Sequence, residues 1–313
     1  MIDMQLKGRD MLSLKNYTKE ELEYLIDLGI KIKKNPEKYY DVLKKKTLIM
    51  LFEKSSTRTR CSFEAGMAQM GGHAIFLDWQ SSQLSIGAEL KDEVRSMERY
   101  CDVIAARVKK HKTIREIADS VKKPVINMLC EKYHPCQGLG DMMTIKEHIG
   151  SLKGKKLVYT GIANNVSNSL VCAGTKLGMK VVLAIPEKDP DAVDVELEKK
   201  AKATGLYEET KDLKSAVKDA DIVYTDTWVN IEFMKDPKFA AEKERRMKTF
   251  MPYQVNAKLL KDTGSHAKIM HCLAAHVGYE ITRDAIDHKN SIIFNQAENR
   301  MHIQKAILVS LVG

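Results

Sequence analysis

Thr47-Leu-Ile-Met-Leu-Phe-Glu-Lys-Ser-Ser-Thr-Arg-Thr-Arg60 decides how this chain is read. Its first half, Thr47–Phe52, is an apolar run of strand length, and the amphipathic stretch Ser62–Met70 that follows has helical spacing. Between them, the free N–H groups of a first helical turn, the hydroxyls of Ser56, Thr57 and Thr59, and the guanidinium groups of Arg58 and Arg60 point toward one place. An oxyanion needs that set of donors, and a phosphate fits it best. No Gly-x-x-x-x-Gly-Lys pattern is present, so the loop is not a P-loop. Ser and Thr in such a cluster also serve as plain helix caps beside solvated arginines, so the loop alone leaves its ligand open.

Working outward, Thr18-Lys-Glu-Glu21 forms a capping box, and Leu22, Leu25 and Leu28 give a helix from Thr18 to Lys33 an apolar face. Gly71-Gly72 ends the helix after the loop, and His73–Leu77 reads as a strand. Gln80–Gly87 is polar and reads as flexible, whereas Glu89–Cys101 returns to helical spacing. Asp102–Ala106 is a short buried-type strand ending at Arg107; Pro124–Met128 is a similar strand ending before His134, and Pro135–His148 is a helix. The second half repeats the alternation: strand Lys156–Thr160, turn Gly161–Asn165, helix Val166–Gly178, strand Met179–Ile185, strands Asp221–Thr225 and Lys268–His271, and a final helix Asn295–Val312. Such alternation predicts an α/β fold of two parallel-sheet domains, residues 1–149 and 150–313. A parallel sheet binds ligands beyond the carboxyl ends of its strands, so Ser56–Arg60, Arg107 and His134–Gln137 should meet at one edge.

Composition narrows the function classes. A chain of 313 residues, 44% hydrophobic, buries a substantial core and has room for two domains. No apolar run reaches bilayer length, and the charged start lacks a signal-peptide centre, which gives a cytoplasmic protein as the expectation. The six cysteines (Cys61, Cys101, Cys130, Cys136, Cys172, Cys272) show neither disulfide nor zinc spacing, so no metal is expected. A formal charge of +9 raises nucleic acid as a partner, but the basic runs are mixed with acids and aromatics are only 6%, so a solvated basic surface is the reading. Gly138-Leu-Gly140 follows no strand and lacks a third glycine, so no dinucleotide cofactor is expected.

Five short strings carry more. Ser56-Thr-Arg-Thr-Arg60, Tyr133-His-Pro-Cys-Gln137, Asp226-Thr-Trp228, His271-Cys-Leu273 and Ala297-Glu-Asn-Arg300, in that order across nearly the whole chain, resemble the aspartate/ornithine carbamoyltransferase family. The resemblance implies transfer of the carbamoyl group of carbamoyl phosphate to an amine, with no organic cofactor, in a homo-oligomer, a trimer or a multiple of it, with active sites at subunit boundaries. It implies a C-terminal helix, about 296–313, that packs back on the first domain, and two domains that close on one another.

Residue by residue, the resemblance places Ser56, Thr57, Arg58, Thr59 and Arg107 on the phosphate, and Thr59, Arg107 and His134 on the carbonyl oxygen. Gln137 and the backbone of Cys272–Leu273 would hold the carbamoyl NH₂, and Arg300 would close the pocket. Arg58, Arg107, His134 and Cys272 thus surround the reacting centre, with no nucleophilic role for the thiol. Gln83 is similar to a glutamine that reaches a neighbouring subunit's site, although Leu84–Glu89 departs from the family pattern. Asn165 and Asp226 match positions that contact the amino-acid substrate in ornithine-using members.

The sequence departs from those members at two places. Asn230-Ile231-Glu232 stands where they carry Ser-Met-Gly, and Ala274 where they carry proline. Asp226 and Glu232 disfavour a dicarboxylate acceptor such as aspartate. Ornithine is the expected acceptor, with Asn230 and Ile231 contacting it; putrescine or another diamine or basic amino acid is the alternative, and a non-catalytic binding homologue ranks below both.

Overall fold

The computed structural model describes residues 6–229 and 237–313, so Asn230, Ile231 and Glu232 lie outside the described residues. The chain forms two compact units, one of Met1–Met143 with Glu298–Gly313 and the other of Thr144–Ala297.

The first unit contains α1 (Lys19–Lys34), β1 (Thr47–Phe52), α2 (Thr57–Ala68), β2 (His73–Asp78), α3 (Leu90–Met97), β3 (Val103–Arg107), α4 (His111–Ser120), β4 (Val125–Leu129) and the start of α5 (Pro135–Ile149). The second contains β5 (Lys156–Ala163), α6 (Asn165–Lys176), β6 (Lys180–Lys188), α7 (Val195–Ala203), β7 (Tyr207–Thr210), α8 (Leu213–Lys218), β8 (Ile222–Thr225), α9 (Ala240–Phe250), α10 (Ala257–Thr263), β9 (Lys268–His271) and α11 (Arg283–Ile286). The unit boundaries fall inside α5 and inside the final helix α12 (Ile293–Val312).

Each unit is built on one parallel sheet, ordered β2-β1-β3-β4 in the first and β7-β6-β5-β8-β9 in the second. The order reverses between β1 and β3 in one sheet and between β5 and β8 in the other, which opens a crevice at the carboxyl ends of those strands. Strands covered on both faces must be apolar throughout. Leu48–Phe52 are accordingly at most 3% exposed, and Val158, Val182, Val223 and Ile269 join one buried cluster in the second unit.

Local chemistry sets the element ends. Thr18 and Glu21 make the reciprocal capping box that starts α1. Helix α2 begins at Thr57, five residues before the helix expected from periodicity, because the Ser56 hydroxyl accepts from Thr59 N–H and nucleates the first turn. The anion loop therefore shrinks to Glu53–Ser56, and the Thr-Arg-Thr-Arg run lies within a helical turn. Gln80–Gly87, expected as flexible, falls largely within two short 3₁₀ turns, Trp79–Ser81 and Gln83–Ile86, capped by the side chains of Asp78 and Ser82.

In the second unit, β5 runs on to Ala163 through a register shift past Thr160, so the expected turn at Gly161 is part of the strand. Gly161 has φ of +117°, and a Cβ there would sit 2.9 Å from Trp228 Nε1. Trp228 is 1% exposed and stacks on Phe250 at 5.8 Å. Gly161→Ala meets both a backbone penalty and a fixed indole, and should destabilise the protein by about 1–3 kcal/mol in urea unfolding. A Trp228→Ala background should relieve part of that cost.

Candidate active site

In the first unit the three expected elements share one edge. Parallel pairing puts Phe52 beside Arg107 and Arg107 beside Leu129, so the loops after β1, β3 and β4 leave the sheet together. A register shift at Ala106/Arg107 lets Arg107 leave the regular ladder. Glu53 secures the junction, its N–H donating to Arg107 O at 2.8 Å and its carboxylate accepting from Lys109 N–H at 2.7 Å.

His134 is 5% exposed at the start of α5, and its backbone oxygen accepts from the N–H groups of Gln137 and Gly138, both at 3.0 Å. Burial, and then the guanidinium groups of Arg300, Arg107 and Arg58, hold the imidazole well below its usual pKa. The ring is therefore neutral at pH 7, and a neutral imidazole carries one N–H that can donate without being a cation.

Arg300 completes the cluster from α12. Its Nη1 donates to Gln137 Oε1 at 2.5 Å and its Nη2 to Thr59 Oγ1 at 3.3 Å. Gln137 Nε2 in turn donates to the buried Asp141 carboxylate at 2.7 Å. This chain fixes the carboxamide with its oxygen toward the arginine, and that oxygen keeps a second lone pair for a ligand N–H. Ser56 caps α2 beside Thr59, Arg58 is half-buried, and Thr57 is exposed at the helix start. Arg60 leaves the group: its Nε donates to Glu64 at 2.9 Å and its guanidinium lies 3.7 Å over the Phe76 ring. Burial pushes the Cys136 thiol up to about 12, so it behaves as a small apolar group. Gln83 is exposed, in its 3₁₀ turn away from these contacts.

The second unit gathers an independent cluster at the ends of β5, β8 and β9. Asp226, 6% exposed, accepts from Cys272 Sγ at 3.0 Å and Thr227 N–H at 2.8 Å on one oxygen, and from Asn164 Nδ2 at 2.8 Å on the other. The thiol is thereby a donor to a carboxylate, the opposite of an activated nucleophile. Asn164 also caps α6, its Oδ1 accepting from Val166 and Ser167 N–H groups. Asn165 is the first residue of that helix and is half-buried.

His271 organises the loop that carries Cys272. Its Nδ1 accepts from Leu273 N–H at 2.8 Å, which puts the proton on Nε2, 3.0 Å from the fully buried Glu280. Glu280 also accepts from His276 N–H at 2.6 Å. Leu273, with φ of +57°, precedes a cis peptide bond to Ala274. Asp226, His271 and Cys272 offer ligand atoms within 4.8 Å of one another, but both His271 nitrogens are engaged in holding this loop.

Sequence reasoning missed Asp141, Asn164 and Glu280. Asn164 had a signal in the Asn164-Asn165 pair, where only the first can cap the helix. Among the described residues no helix is long and apolar enough to cross a membrane.

The comparisons with known proteins cover the same two halves. Residues 9–147 match the carbamoyl-P binding domain of aspartate/ornithine carbamoyltransferase, and residues 153–311 match its Asp/Orn binding domain. The chain is 46% identical to an ornithine carbamoyltransferase of Pyrococcus horikoshii over 99% of this chain and 98% of that protein. It is 44% identical to one from Archaeoglobus fulgidus over 97% of this chain and 98% of the relative. Among solved structures, the ornithine carbamoyltransferase from Pyrococcus furiosus superposes with a TM-score of 0.90 at 44% identity, covering 99% of this chain and 98% of that one. The enzyme from Thermus thermophilus gives 0.86 at 37%, covering 97% and 99%. With both domain models matched in order and full-length likeness in sequence and fold, the chain belongs to the aspartate/ornithine carbamoyltransferase family.

Proposed function

We propose that this chain transfers the carbamoyl group of carbamoyl phosphate to the side-chain amine of L-ornithine, giving citrulline and phosphate. The observation that carries the reading is the convergence of Arg58, Arg107 and Arg300 on the neutral, buried His134. Three fixed cations suit a phosphate dianion, and a neutral imidazole N–H suits a carbonyl oxygen that becomes an oxyanion only as the amine attacks. The full-length relatives named as ornithine carbamoyltransferases support ornithine as the acceptor.

The phosphate sits on the first-turn N–H groups of α2 with Ser56, Thr57, Arg58, Thr59 and Arg107. Thr59, Arg107 and His134 donate to the carbonyl oxygen, and Gln137 Oε1 accepts from the carbamoyl NH₂. The amine nitrogen attacks the carbonyl carbon, the bond to the bridging oxygen breaks, and phosphate leaves with the electron pair; the proton lost by the nitrogen can pass to that phosphate. In the second unit Asp226 presents a carboxylate for an ammonium group of the amino acid, held in place by Asn164 and Cys272. Catalysis on this account is positioning and electrostatics, with no covalent enzyme intermediate.

The active form on this reading is a trimer or a multiple of it. Gln83 and Ile86, the latter 80% exposed on the single chain, form the 3₁₀ turn that would meet a neighbouring subunit.

A colorimetric ureido-product assay should show ornithine preferred over putrescine, lysine, 2,4-diaminobutyrate and aspartate. Equal or greater turnover of putrescine would make the Asn230–Glu232 segment a determinant for a diamine. A second expectation concerns pH. The unfolded chain protonates His134 near pH 6.5 while the folded chain does not, so the unfolded state binds more protons and stability falls as pH drops below about 6.5, by up to about 1.4 kcal/mol per pH unit. Urea unfolding from pH 7.5 to 4.5 should show that His134→Gln flattens this loss; an unchanged slope would contradict a neutral His134.

A further inference from the structure

Apart from the His134 cluster, the first unit holds a buried ammonium group with no opposite charge beside it among the described residues. Lys305 on α12 is 3% exposed, and its Nζ donates to Gln69 Oε1. Among the described residues no carboxylate pairs with it. His302, three residues earlier on the same helix, has its pKa lowered by burial and then by Lys305. Glu298, the one acid at this end of the helix, is taken by His302 at 3.2 Å and by Lys33 at 3.5 Å. Burial lowers the Lys305 pKa as well.

Lys305 lies at the floor of an open pocket of about 510 Å³ whose rim residues Pro36, Tyr40, Ala68 and Gln69 are exposed. Ile32 and Met70 supply apolar wall, Tyr39 and Tyr40 supply aromatic surface, and Gln69 and Lys305 supply the polar groups. A volume of this size lies within the range of small-molecule sites, and an apolar lining with a few converging polar groups is their usual make-up. Placing a cation in such a lining is unfavourable, and methionine, of similar length, would fill the position without that cost. A bound anion would supply the missing charge. One lysine without an arginine fork offers a single point charge, which matches one carboxylate better than a phosphate group with its several acceptor oxygens. Two phenol rings and aliphatic walls match a flat apolar body.

We propose that this cavity is a binding site, separate from the carbamoyl phosphate site, for a small monocarboxylate with an aromatic or apolar body, whose carboxylate pairs with Lys305. Benzoate is the probe and benzamide its uncharged counterpart, each followed by calorimetry and by thermal melting of the full chain. Benzoate should bind with a millimolar or tighter Kd and raise Tm, and benzamide should bind at least about tenfold more weakly. Lys305→Met should melt at or above the wild-type temperature and lose at least about tenfold in benzoate affinity. Ala68→Trp, at an exposed position on the cavity wall, should block benzoate by volume should Lys305→Met fail to fold. Arg58→Ala should keep wild-type benzoate affinity, which separates this cavity from the phosphate cradle. Absence of benzoate binding, equal affinity for benzamide, full affinity in Lys305→Met or Ala68→Trp, or loss of binding in Arg58→Ala would each overturn the proposal.

Discussion

Like charges repel, and the first unit is organised to hold three of them together. Arg58 comes from the first turn of α2, Arg107 from the end of β3 and Arg300 from α12, and each is near enough to His134 to disfavour its protonation. Their positions are fixed by separate structural devices. The Ser56 cap sets α2, the β1–β3 pairing sets Arg107, and hydrogen bonds to Gln137 and Thr59 set Arg300. Because the fold sets the backbone under Arg58 and Arg107 and hydrogen bonds hold the Arg300 guanidinium before any ligand arrives, reorganisation is limited when charge develops in the transition state. Burial, and then this positive field, keep His134 uncharged, which is what the proposed phosphate binding and carbonyl polarisation both require.

The second unit solves the opposite problem, a buried carboxylate. Asp226 is surrounded by neutral donors, the Cys272 thiol, the Asn164 amide and the Thr227 N–H, so its negative charge is solvated without being cancelled. Such a carboxylate is what the proposed pairing with an ammonium group of the amino acid requires. Behind it, His271 and Glu280 hold the Cys272–Leu273 loop through a fixed tautomer, which makes them positioning residues that act through the loop they support.

Much of this was legible in the sequence, for identifiable reasons. The apolar run Leu48–Phe52 and the Ser-Thr-Arg-Thr-Arg string were readable because a buried parallel strand and a capped helix start rich in donors each constrain residue type strongly. What the sequence obscured depends on single-residue phase or on long-range packing. Asn164 and Asn165 have the same side chain, and only the start of α6 decides which one reaches Asp226. Arg58 and Arg60 looked equivalent in an extended loop; in a helix they point to different faces, and Arg60 ends on Glu64 and Phe76. Glu280 carries no motif at all, since its importance comes from a fold-level approach to His271 nine residues earlier. The 3₁₀ turns around Gln83 were hidden because Asp78 and Ser82 cap them locally where a polar composition suggests mobility.

The central claim is that fixed guanidinium charge in the first unit binds carbamoyl phosphate. Isothermal titration of carbamoyl phosphate into the wild-type chain and into Arg58→Ala tests it most directly. The account predicts that the variant loses about 2–5 kcal/mol of binding free energy while remaining folded, since a charged partner is removed from a largely desolvated anion. Affinity unchanged by the substitution would contradict it.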